Sequence, residues 1–111
     1  MQKLKKSYFT GEGKGQLLYE TIGSCFERVA KGNPDGQAII VKHQGIRWSY
    51  QELYAQVDRL SVGLLALGIQ TGDRVGIWGP NSIEWVMTQL ATARIGAIMV
   101  CINPAYRLYE L

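Results

Sequence analysis

The stretch from Ser49 to Gly68 constrains this chain more than any other. Ser49-Tyr50-Gln51-Glu52 has the S-x-x-E form of a capping box, in which the hydroxyl accepts an orphan N–H of the first turn and the glutamate reaches back to the cap. Leu53, Val57, Leu60, Leu64 and Leu67 follow at intervals of four, three, four and three, which places them on one stripe of a helix. Gly68 supplies the left-handed position that ends it. One amphipathic helix is therefore fixed at mid-chain, and its apolar stripe demands a partner layer.

That partner is legible downstream. Gly72-Asp73 leads into a strand over 74–78 with Val75 and Ile77, closed by Gly79-Pro80. Asn81 or Ser82 then caps a second long helix, in which Ile83, Val86, Met87, Leu90 and Arg94 share a face and Gly96 is the stop. Residues 97–102 are almost unbroken apolar, as expected of a strand covered on both faces. Strand, helix and strand make a βαβ unit, whose crossover is expected to be right-handed. Beyond Pro104, residues 105–111 look like the opening turns of a further helix.

Upstream, Ile22, Cys25, Phe26 and Val29 repeat at helical spacing over 21–31, with Thr21 as N-cap and Gly32-Asn33-Pro34 as stop. Residues 37–42 and 46–48 are strand-like about a Gln44-Gly45 turn, which reads as a β-hairpin. Residues 1–16 carry Gly11, Gly13 and Gly15 among charged and hydroxyl residues without periodicity, and are read as a flexible arm; 17–111 is the folded part. The fold class is α/β: a βαβ core, an adjoining β-hairpin and a leading helix.

With 111 residues, 47% of them apolar and only 19% charged, the chain suits one small folded unit and not a disordered tail. Its 12 Lys and Arg exceed 9 Asp and Glu by three, but Lys3, Lys5, Lys6 and Lys14 all lie in the first fourteen residues. The body is close to neutral, which argues against a basic face for nucleic acid. Cys25 and Cys101 stand far apart and His43 is the single histidine, so the usual Cys/His zinc clusters are excluded. No apolar run reaches membrane-spanning length, and residues 7–15 are polar and Gly-rich where a signal peptide would be apolar. The expected compartment is the cytoplasm, with both thiols reduced.

Side chains capable of chemistry are few. Gly11, Gly13 and Gly15 neither complete G-x-G-x-x-G nor follow a strand, so no preorganised anion cradle is expected there. His43 falls at the hairpin tip, where a solvated turn residue is preferred over a general base. Ser24 and Cys25 have no histidine near them in sequence, and Cys25 lies on the apolar face of its helix as a buried, inert thiol. Glu84 opens a helix, where the dipole alone accounts for an acid. Trp78, Trp85 and Tyr106 are read first as packing residues, and Trp78, Asn81 and Asn103 as the positions where a ligand lining would fall, since they follow the carboxyl ends of strands.

Trp78-Gly79-Pro80-Asn81-Ser82 with Glu84-Trp85, then Gln89-Leu90-Ala91-Thr92-Ala93, Gly96-Ala97 and Asn103-Pro104-Ala105-Tyr106 form an ordered series. With Asn33-Pro34-Asp35 and Gly72-Asp73-Arg74-Val75 before them, the chain resembles the amino-terminal segment of AMP-forming acyl-CoA synthetases. This adenylate-forming superfamily also contains luciferases and peptide-synthetase adenylation domains. The resemblance runs over 21–111 and is greatest to synthetases of medium- or long-chain fatty acids.

It implies an incomplete amino-terminal part of the synthetase large domain. For the parent enzyme it implies fatty acid, ATP with Mg²⁺, and coenzyme A: the carboxylate attacks the α-phosphate to give an acyl-adenylate and pyrophosphate, and the thiol then displaces AMP. The family's phosphate loop, nucleotide contacts, metal glutamate, hinge and catalytic lysine fall downstream of these residues. No catalytic, cofactor-binding or metal residue is therefore assigned in this chain, which is expected to be inactive in adenylation alone. Two alternatives stand beside it: a small autonomous module binding an acyl chain or coenzyme A, and a structural or oligomerisation piece that self-associates through exposed sheet edges.

Overall fold

The computed structural model describes Gly11 and residues 13–110. The arm expected over 1–16 lies mostly outside them, and residues 13–20 hold neither helix nor strand. Helix α1 (Ile22–Gly32) starts where Thr21 Oγ1 accepts the Ser24 N–H at 3.1 Å. It ends as Asn33 N–H closes on the Val29 carbonyl. Strands β1 (Gln37–Val41) and β2 (Ile46–Ser49) form the antiparallel hairpin, joined by a single 3₁₀ turn over Lys42–Gln44 and by Gly45 at φ 66°.

Helix α2 (Tyr50–Ala66) opens with the complete capping box: Glu52 N–H donates to Ser49 Oγ at 3.2 Å, and Ser49 N–H donates to Glu52 Oε2 at 2.8 Å. Gly68, at φ 91°, closes it as expected. Leu53 and Val57 are buried, and Leu60 and Leu64 pack at the edge of the same cluster. Leu67 departs from the stripe. The residue is 81% exposed, because it sits at the helix C-cap, past the reach of the neighbouring layer. The buried position unforeseen in sequence is Ser61, whose hydroxyl is satisfied by donating to the Val57 carbonyl at 2.8 Å.

Strands β3 (Arg74–Trp78) and β4 (Ile98–Ile102) pair in parallel across helix α3 (Ile83–Ile95), so the βαβ unit is present. Gly96 ends α3 in the left-handed region at φ 76°. The core is the seam where α2 and α3 meet: Leu53, Val57, Ile83 and Ala91, flanked by Phe26 of α1 and by Ile39, Val41, Ile46 and Trp48 of the hairpin. Helix α1 comes close to α3 at Gly23, where an added Cβ would meet the Arg94 backbone at 3.3 Å.

Three expectations are corrected. Strand β4 is not covered on both faces: α3 packs against β3 and β4, while Ile98 and Val100 point away and stay 46% and 39% exposed. Residues 105–110 make no α-helix; a turn built on Asn103, whose Oδ1 accepts the Ala105 N–H at 3.0 Å, precedes one 3₁₀ turn over Leu108–Glu110. Leu111 lies outside the described residues. Finally, Ser82 holds the N-cap position of α3 without any side-chain cap bond, and the cap comes instead from Gln44 of the hairpin.

Candidate functional site

In an open α/β sheet the place to look for a ligand is beyond the carboxyl ends of the strands. Here β3 and β4 end side by side, Trp78 in register with Ile102. The two loops that follow are braced against each other. Trp78 Nε1 donates to the Asn103 carbonyl at 3.2 Å, and Tyr106 N–H donates to that carbonyl at 3.0 Å. Trp85 Nε1 donates to the Gly79 carbonyl at 2.9 Å. Of the three positions singled out as a lining, Trp78 and Asn103 are thus brought together, through the Trp78 indole N–H and the Asn103 backbone carbonyl. Asn81 is exposed beside them.

The N-terminus of α3 opens toward the same region and would suit an anion if its N–H groups were unoccupied. They are engaged. Gln44 Oε1 accepts the Ile83 N–H at 2.8 Å, and Gln44 Nε2 donates to Glu84 Oε2 at 2.9 Å. The Gln44 amide, then Glu84's own backbone N–H and the Ser82 hydroxyl, hold the Glu84 carboxyl below the ordinary glutamate range, with nearby His43 adding a smaller effect. A carboxylate in the first turn repels a phosphate. Among the described residues no three His, Cys, Asp or Glu side chains converge as a metal would need.

The other candidates are placed apart. His43 is exposed in the hairpin turn. Ser24 accepts from the Thr21 hydroxyl at 2.9 Å, within the cap of α1. Cys25 is half-buried rather than buried, because its helix face borders an open groove, and Arg28 Nη2 lies 3.6 Å from its Sγ. Both cysteines are free. That apolar groove, about 340 Å³ between the three helices, is lined by Ile22, Cys25, Phe26, Val29, Tyr50 and Leu90.

A polar junction ties the helices together on another side. Arg94 of α3 lies over the Tyr54 ring of α2 at 4.7 Å and pairs with Asp58 at 3.1 Å. Tyr54 in turn donates to Glu27 of α1 at 3.4 Å, and Phe26 packs on its ring at 5.6 Å. The Lys31 ammonium, 2.7 Å from Glu27, holds that carboxyl below its usual range. Sequence reasoning put Arg94 on the apolar face of α3 and missed Tyr54. The signal was the i, i+4 spacing of Tyr54 and Asp58, which puts ring and carboxylate on one face of α2.

The family model described as AMP-binding enzyme matches residues 26–111. The chain belongs to the AMP-binding enzyme family. Among relatives of this chain, the medium-chain acyl-CoA ligase ACSF2, mitochondrial, of Rattus norvegicus is 44% identical over 105 residues, covering 95% of this chain and 17% of that protein. A fatty acyl CoA synthetase of Mycobacterium tuberculosis superposes with TM-score 0.77 at 33% identity, over 81% of this chain and 18% of that one. The N-terminal subdomain of NpsA from Klebsiella oxytoca superposes with TM-score 0.72 at 29% identity, over 78% of this chain and 22% of that one. The chain therefore spans less than a fifth of the curated ligase it matches. It has the mixed α/β architecture of the N-terminal part of these proteins. None of its described helices is long and apolar enough to cross a membrane.

Proposed function

We propose that this chain serves as scaffold in the amino-terminal domain of an AMP-forming fatty-acyl-CoA ligase. In that enzyme a fatty acid is joined to AMP at the expense of ATP, and coenzyme A then takes the acyl group from the adenylate. The observation that carries the reading is the direction taken by the indole and first-turn donors at the strand ends. Trp78 Nε1 and the first N–H of α3 are spent on Asn103 and Gln44, and the Glu84 carboxylate stands in the first turn of α3, where a developing negative charge would meet like charge. Adenylation then depends on residues outside this chain. The free thiols fit a reducing compartment, for which the cytoplasm is our proposal, although the rat relative is named as mitochondrial.

Two measurements test this together. The 111-residue chain is expected to release no pyrophosphate from ATP with fatty acid. A chimera carrying residues 21–110 in place of the matched stretch of the rat ligase is expected to form acyl-CoA. Turnover by the chain alone, or a folded chimera without activity, overturns the proposal. The groove beside Phe26 and Leu90 is what an autonomous acyl-binding module would use, and saturable fatty-acid binding there would favour that second reading.

A further inference from the structure

We draw no further inference here: the strongest candidate, the apolar groove between the three helices lined by Ile22, Cys25, Phe26, Val29, Tyr50 and Leu90, is an unpartnered face of a chain that spans 17% of its rat relative, and nothing in the structure shows what covers it.

Discussion

Gln44 caps a helix that begins 39 residues later in the chain: its Oε1 accepts the Ile83 N–H at 2.8 Å, and its Nε2 holds the Glu84 carboxylate at 2.9 Å. One side chain thereby fastens the hairpin tip to α3. Gln44→Ala is expected to lower stability by about 1 kcal/mol, the usual worth of an N-cap, in urea unfolding followed by tryptophan fluorescence. Gln44→Glu should cost more near neutral pH, because it sets a second carboxylate against Glu84, and adding Glu84→Gln should recover part of the loss. An additive double variant would rule the contact out.

Acid should loosen this joint and the junction of α1 with α2. The carboxyls of Glu84 and Glu27 are held down, by Gln44 and by Lys31 respectively. A group whose folded pKa lies below its unfolded one contributes stability that is fully present above the unfolded value, about 4.3 for glutamate, and is lost as pH falls through the folded one. Unfolding curves recorded downward from about pH 6 should show stability declining below that value. Glu27→Gln with Glu84→Gln should flatten the decline, modestly because both groups are exposed.

The Arg94 guanidinium over Tyr54 predicts a measurable coupling between α2 and α3. A double-mutant cycle with Arg94→Met and Tyr54→Leu should return about 0.5–1 kcal/mol, as expected of a partly exposed cation over a ring. The Asp58 pair shares the same guanidinium, so Asp58→Asn should change the coupling.

Burial along α2 separates two leucines of one stripe. Leu53→Ala, at 4% exposure, is expected to cost about 2–4 kcal/mol through the cavity it leaves, whereas Leu67→Ala, at 81%, should stay within about 0.5 kcal/mol. Similar losses at the two positions would contradict the placement of the core.

The open face of the β3–β4 sheet should make the chain self-associate. Trp78, Ile98 and Val100 are 48%, 46% and 39% exposed on a sheet of two strands. Light scattering should give a mass that rises with concentration, and Ile98→Lys with Val100→Lys should return it toward the monomer. A monomer at all concentrations would contradict the expectation.

The elements that sequence reasoning placed well carry their own local signals. The Ser49 capping box, the Thr21 cap and the left-handed Gly68 and Gly96 are decided by residues within a turn of one another. What it missed depends on distant partners. The apolar run at 97–102 reads alike whether one face is covered or two, and only the packing of α3 decides. Ser82 has a capping side chain but makes no cap bond, while Gln44 accepts the Ile83 N–H, and no local pattern pairs position 44 with position 83. Asn103-Pro104 suggested a helix start, but the Asn103 side chain bonds the next turn and spends the chain there. The candidate site was legible only as an address, the ends of β3 and β4, because the bond that joins its two loops, Trp78 to Asn103, spans 25 positions.

The parallel pairing of β3 with β4 bears on how the chain comes off the ribosome. Arg74 waits for Ile98, and every other rung of that ladder is likewise separated by 24 residues of sequence. Until translation has passed Ile102, a nascent chain presents Val75 and Ile77 on a strand with no neighbour, while the hairpin and α2 can already close upon each other. A pause within α3 would prolong that vulnerable interval and invite chaperone capture, whereas a pause after β4 would not.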